Sequence, residues 1–290
     1  MQTSITVRLS ALVFWAFMGV TPAVHANPDQ RGPEPTVKSL EAVAGPYAIA
    51  SAKVTSPTGY GAATVYYPTM KTDGRFGLVV LAPGFLAAQG YYAWLAERAA
   101  SHGFVVVNIN VNSIFDSPAK RVPQLMSALN QVLALSQTAT TPYFDMVDPT
   151  RLALMGHSAG GGAALAASVG YPTLKAVVAM TPASDTKDFS AIRVPTLVLA
   201  CEKDAIAPNA TYSIPFYKSF DPSLSSAYIE VASADHLSPT FLGSKMNKAS
   251  VGKYSIAWLK RFVDSDTRYT PFIKNMNSTD LSKYESRGWF

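Results

Sequence analysis

The sequence predicts an α/β fold in a single domain: a mostly parallel, twisted sheet with helices on both faces. Three observations carry that expectation. Short, continuous apolar runs recur along the chain, as strands buried on both faces require. Segments with apolar residues three and four apart lie between those runs. Two segments of alternating apolar and polar residues open the series, so the sheet should begin antiparallel. A β-rich start followed by alternating strand and helix implies right-handed crossovers between parallel strands. At 290 residues the chain can bury a substantial core, and no internal repeat or linker marks a second domain.

Taken in order, residues 1–26 carry Arg8 and an apolar core from Ala11 to Val20. They close on Val24 and Ala26, the small residues of a signal-peptidase site. The apolar core is too short to span a bilayer. It reads as a secretory signal cleaved near Ala26, leaving a single domain over 27–290 in the extracellular medium or periplasm. "NPDQRGPEPTVKSLEAVAGP" then reads as an irregular arm. "YAIASAKVT" and "GAATVYYPT", separated by the turn signal "SPTGY", form the antiparallel pair. The buried strands are "GLVVLAP", "FVVVNIN", "RLALMGH", "LKAVVAM", "PTLVLAC" and "AYIEVA". Among the helices, "YYAWLAERAASHG" spaces Trp94, Leu95 and Arg98 and stops at Gly103. "VPQLMSALNQVLALSQ" aligns Leu125, Leu129, Val132 and Leu133, with Pro123 near its start. "GGAALAASVG" follows a serine turn. "KASVGKYSIAWLKRFV" sets Val251, Ile256, Leu259 and Phe262 against basic residues on the opposite face.

Composition narrows the function classes. The formal net charge is +5, but the lysines and arginines are scattered, without the clustering of a nucleic-acid surface. Cys201 is the only cysteine, so no intramolecular disulfide can form even in an oxidising compartment. Four histidines, none in an i,i+4 pair, provide no metal-ligand pattern. A monomer without metal, cofactor or stable membrane insertion is expected.

The chemistry centres on "RLALMGHSAGGGAAL". A strand runs into Gly156-His157-Ser158-Ala159-Gly160, and a helix follows. The G-x-S-x-G match alone is weak, since glycine-rich turns join strands to helices everywhere. Its context favours a nucleophile: small residues permit a sharp turn that projects the serine hydroxyl above the strand ends, where such sheets gather their sites. A serine needs a base to remove its proton. His25 leaves with the signal. His102, in "ASHGF", sits at a helix end and suits a capping or surface role. His157 should diverge from its neighbour and line the site floor. His236, in the loop after "AYIEVA", is the candidate base. Asp204, just after "PTLVLAC", suits the acid that orients it; Glu202 should face the other way, Asp185 and Asp188 lie in the preceding loop, and Asp235 is too close along the chain. The order Ser158, Asp204, His236 is that of α/β-hydrolases. The oxyanion donors would be the N–H groups of Ala159 and of Phe85, after "GLVVLAPG", although Phe85 also reads as an ordinary core aromatic.

Three functions compete: a secreted serine ester hydrolase, a peptidase or acyltransferase on the same fold, and a non-catalytic binding protein. A complete Ser/His/Asp set argues against the third. A peptidase of this fold would usually bring an additional domain, for which there is no room.

The segments "RGPEPTVKSLEAVAGP", "SPTGYGAATVYYPT", "APGF", "ASHGFVVVNINVNS", "GHSAGGG", "VPTLVLACEKDAIAP", "SIAWLKRFVDSDTRYTPF" and "NST" together resemble the bacterial cutinases and polyester hydrolases. That group includes the poly(ethylene terephthalate) (PET) hydrolases, and the likeness runs over essentially the whole mature chain. It implies a lidless α/β-hydrolase acting on cutin-like and synthetic polyesters, short acyl esters and often triacylglycerols, with a triacylglycerol lipase or general esterase as the second reading. It also implies Ser158, Asp204 and His236 as triad, and Phe85 and Ala159 as oxyanion donors. Ala159 stands where the family usually has methionine. Ala183, in "TPASDTKDF", stands where it commonly places a tryptophan that clamps an aromatic acid. "LSPTFLG" replaces the usual sequence after the histidine, and Cys201 has no partner for the disulfides of the PET hydrolases. These departures remove ring-stacking surface and widen the cleft, so aliphatic polyesters should outperform PET. Residues 182–194 are too few for a helical lid. The expected cleft is open and shallow, with His157 on its floor, Phe85, Ala183, Ile206 and Leu237 as walls, and Ala159 small enough to admit a bulky acyl group.

Overall fold

Nine strands form one sheet in a computed structural model that describes residues 30–71, 73–274 and 276–290. The signal-peptide expectation lies outside those residues. The strands are β1 (Ile49–Lys53), β2 (Ala62–Pro68), β3 (Phe76–Ala82), β4 (Phe104–Asn110), β5 (Val147–His157), β6 (Ala176–Met180), β7 (Thr196–Cys201), β8 (Ser226–Val231) and β9 (Leu281–Arg287). Their order is β1-β2-β4-β3-β5-β6-β7-β8-β9. β1 pairs antiparallel with β2, as the alternating segments predict, and β2 in turn pairs antiparallel with β4. From β4 to β8 every pairing is parallel. β9 closes the far edge antiparallel to β8.

Helices cover both faces: α1 (Val37–Glu41), α2 (Ala93–Ser101), α3 (Pro118–Leu135), α4 (Ala159–Gly170), α5 (Ser213–Ser219) and α6 (Lys245–Phe262). The period-two geometry of β3 explains its unbroken apolar run. Leu78, Val80 and Ala82 enter a core with α3, α4 and α5, whereas Val79 and Leu81 enter the opposite core with α2 and α6. This is the doubly covered α/β-hydrolase architecture. Chain direction across the sheet reverses around β3: α2 carries the chain from β3 to β4, and α3 carries it back past β3 to β5. The strand ends on either side of that reversal form the crevice where α/β sheets hold ligands.

Four features depart from the sequence pattern. α3 starts five residues before Pro123, with Pro118 in its first turn and the Ser117 hydroxyl capping Lys120 N–H. The arm holds α1, closed by a capping box between Thr36 and Ser39, and its Leu40 is buried in the α2/α6 core. β9 escapes the search for apolar runs because it is a half-exposed edge strand, LSKYESR. The basic face of α6 is not a solvent face either. Lys260 and Lys253 are buried, the first paired with Asp264 and the second with Glu41 and Asp280. Burial without those carboxylates would strand two charges, so the pairs are obligatory partners.

Candidate active site

Ser158 sits between β5 and α4 with φ 53° and ψ −120°, a conformation that a residue with a Cβ adopts only at a cost of about 1–3 kcal/mol. Three backbone bonds hold it there. Its N–H donates to Met180 O at 2.9 Å, and its carbonyl accepts from Gly162 N–H and Ala183 N–H, both at 3.0 Å. The outer glycines of the motif answer to close approach: a Cβ on Gly156 would lie 2.2 Å from Gly160 O. Leu86, Thr181 and Ser233 also have positive φ, and each lies in the loop at the carboxyl end of a strand. With Ser158 they make four of the six non-glycine residues of positive φ among the described residues; Asp145 and Ser265 lie elsewhere.

His236 and Asp204 meet each other, and His236 lines the same cavity as Ser158. The loops after β7 and β8 bring His236 Nδ1 within 2.8 Å of Asp204 Oδ2, and both side chains are buried. The other carboxylate oxygen accepts Ile206 N–H at 3.0 Å and Ala207 N–H at 2.7 Å. A carboxylate oxygen accepts, so Nδ1–H donates to Asp204, and in the neutral tautomer that pairing allows the ring's lone pair is on Nε2. Asp235 instead bonds the Ser238 hydroxyl, and Glu202 accepts from Ser233 N–H, away from the histidine. His102 caps α2 through its backbone N–H, as its position at the helix end suggests. The surface alternative is wrong: its ring is buried, and burial pushes its pKa down to about 3.

The loop after β3 closes the site from the other side. Arg121, wholly buried, donates to the carbonyls of Pro83 (2.8 Å), Gly84 (3.2 Å), Ile114 (3.0 Å) and Asp116 (2.8 Å). Because a trans peptide points C=O and N–H in opposite directions, gripping Gly84 O turns Phe85 N–H away from Arg121. The N–H groups on either side are engaged, Gly84 with Tyr92 Oη and Leu86 with Ile114 O. Ala159 is the first residue of α4, where helix geometry leaves an N–H without an intrahelical acceptor. The loop presses on the elbow so closely that a Cβ on Gly84 would lie 2.8 Å from His157 Nδ1 and 3.2 Å from Ser158 Cβ.

A cavity of about 340 Å³ opens above Ser158 and His236. Phe85, Leu86, Ala87, Tyr91, Tyr92, His157, Ile206, Leu237, Thr240 and Leu242 complete its lining. His157, Phe85, Ile206 and Leu237, which the sequence assigns to the cleft, all line this cavity. Ala183 is not in the lining: it lies half-buried beside the elbow, held by its bond to Ser158. At the rim, the exposed ring of Phe85 meets that of Phe115 edge to face at 5.9 Å, and Phe241 packs on Tyr91 at 4.9 Å. Residues 181–195, between β6 and β7, contain no helix, in keeping with the short connection. Cys201 ends β7 with its thiol buried and its pKa pushed well up by burial, so it stays protonated.

Sequence reasoning missed Arg121 and Tyr92, although both carried a signal. Arg121 lies one turn before Leu125 on the stripe of Leu125, Leu129 and Val132, and a charge on a buried stripe must find acceptors. Tyr92 precedes the buried Leu95, Ala96 and Ala99 at helical spacing, so its hydroxyl had to find a partner inside.

A family model described as PETase: PET hydrolase-like matches residues 23–288. The chain belongs to the PET hydrolase-like family. Among characterised relatives it is 41% identical to a bis(hydroxyethyl) terephthalate hydrolase of Streptomyces coelicolor, over 98% of this chain and 90% of that protein. It is 42% identical to a cutinase of Thermobifida fusca, over 93% of this chain and 87% of the relative. Cutinase 1 of Thermobifida cellulosilytica is 44% identical, over 86% of this chain and 92% of its own length. In this PET hydrolase-like chain Ser158, His236 and Asp204 follow the carboxyl ends of β5, β8 and β7. No helix among the described residues of this family member is long and apolar enough to cross a membrane.

Proposed function

We propose that Ser158, His236 and Asp204 hydrolyse carboxylic esters through an acyl-enzyme. The chain is a carboxylic-ester hydrolase of the cutinase and polyester-hydrolase type, on the strength of its family and of relatives matched over nearly their whole length. The observation that carries the residue roles is the buried 2.8 Å contact of His236 Nδ1 with Asp204 beside a strained serine elbow. His236 Nε2 takes the Ser158 proton as the oxygen attacks the ester carbonyl. The N–H groups of Ala159 and Phe85 hold the oxyanion, aided by the positive end of α4. His236 protonates the leaving alcohol, then activates the water that releases the acid. The open cavity with its exposed apolar rim suits short acyl esters and the accessible chains of a polyester surface, including aliphatic polyesters and bis(hydroxyethyl) terephthalate. A monomer secreted after cleavage near Ala26, with a catalytic domain from residue 27 to 290, completes the reading.

The test is a burst assay with p-nitrophenyl butyrate. Wild type should release one equivalent of nitrophenol rapidly wherever deacylation limits, and Ser158→Ala should show neither burst nor turnover. A burst that survives Ser158→Ala would remove the serine from the mechanism.

A further inference from the structure

We propose that Tyr92 is a positioning residue that couples the loop bearing Phe85 N–H to the loop bearing His236, through His157. The inference rests on the acyl-enzyme reading above. Three bonds form the connection: Gly84 N–H to Tyr92 Oη at 3.0 Å, Tyr92 Oη with His157 Nδ1 at 2.8 Å, and His157 Nε2 with the His236 carbonyl at 2.8 Å. Tyr92 and His157 are both buried.

The polarity of this chain has one solution. The His236 carbonyl can only accept, so His157 Nε2 carries the hydrogen. The neutral imidazole must then accept at Nδ1, where the single phenolic proton of Tyr92 goes. That leaves the Tyr92 oxygen to accept Gly84 N–H. Phenylalanine at this position would leave Gly84 N–H and His157 Nδ1 buried and unpaired at once.

The arrangement fixes two groups that the reaction needs in register. The Pro83–Gly84 peptide is held by its carbonyl from Arg121 and by its N–H from Tyr92, which sets the next peptide, the one carrying Phe85 N–H. The His236 main chain is held through its carbonyl, while its ring remains free to move a proton. The two histidine rings lie 4.7 Å apart, and burial, then the charge of His236, push the His157 pKa down to about 3. His157 therefore stays neutral when His236 becomes an imidazolium, and its tautomer does not change during turnover.

Full-length mature enzyme is compared with Tyr92→Phe, His157→Gln and His157→Leu by steady-state kinetics on p-nitrophenyl butyrate, melting temperature and ¹⁵N spectra of the histidine rings. Tyr92→Phe should lower kcat by about tenfold to a hundredfold, with KM changed by less than about twofold. Its His157 ring should lose the single Nε2–H tautomer that wild type shows between pH 5 and 8. His157→Gln, whose amide can accept from Tyr92 and donate to the His236 carbonyl, should keep kcat within a few-fold, and His157→Leu should fall as far as Tyr92→Phe. If wild type turns over through Ser158 while Tyr92→Phe keeps its kcat and loses only thermal stability, the positioning role is overturned. It is overturned equally if His157→Gln is as poor as His157→Leu. Absence of Ser158-dependent turnover in wild type would instead overturn the acyl-enzyme reading on which the inference rests.

Discussion

Lowering the pH from 7 to 5 should destabilise this fold by about 4 kcal/mol through two buried histidines. Burial pushes His102 and His157 from an ordinary 6.5 to about 3, with Arg98 and Lys260 adding to the effect on His102, and His236 to that on His157. The unfolded chain takes up a proton on each ring below pH 6.5, while the native state refuses it until about pH 3. Stability from these groups is thus fully present above 6.5 and is lost as pH falls. At pH 5 each histidine accounts for about 2 kcal/mol, from 1.36 kcal/mol per pH unit over the 1.5 units below 6.5. At about 2–4 °C per kcal/mol for a domain of this size, the pair should lower Tm by on the order of 10 °C. Asp264, whose carboxyl burial raises, works in the opposite sense, so the measurement is a difference between proteins. Urea unfolding of wild type, His102→Gln and His157→Gln at pH 7, 6 and 5 isolates each ring. Either variant should lose about half of the histidine-dependent fall. A variant whose stability falls with pH as steeply as wild type would refute the claim that its ring is excluded from protonation.

Five other outcomes follow from the site. Ser158→Ala and His236→Ala should each lower kcat by at least about 10⁴-fold, and by similar amounts because the two act as a unit; half the wild-type rate in either would reassign the role. Asp204→Asn should cost up to about 10⁴-fold in kcat while circular dichroism stays native, whereas Asp235→Asn, bonded only to its own loop, should keep near wild-type turnover. Arg121→Lys replaces a planar fork on four carbonyls by one point charge; kcat should fall at least about tenfold with KM little changed, and equal kcat would free the Phe85 peptide from dependence on Arg121. With no helix between β6 and β7, tributyrin hydrolysis should rise smoothly through the solubility limit. Polycaprolactone should be cleaved faster than PET. A sharp interfacial jump or an initial preference for PET would contradict those expectations.

What the sequence determined alone is the part of the molecule written in local patterns. The eight apolar or alternating segments form β1 to β8 because strand burial depends on each residue's own side chain and on period two. Ser158, Asp204 and His236 can be named as candidates because the elbow is a contiguous motif and because so few histidines compete. Ala159 was legible for the same reason, as the next residue along. Tertiary structure decided what depends on partners far along the chain. β9 has little apolar content and becomes a strand only because β8 offers an unpaired edge. Lys253 and Lys260 look solvent-facing on a helical wheel, and only the positions of Glu41, Asp264 and Asp280 reverse that. Ala183 was placed in the cleft wall by its loop, but whether a loop residue reaches a cavity depends on the path of the backbone, here pinned to Ser158. Arg121, Tyr92 and His157 are polar groups inside cores. A hydrogen bond needs two atoms within about 3 Å of each other, and sequence spacing does not encode that distance once the partners belong to different helices, strands and loops.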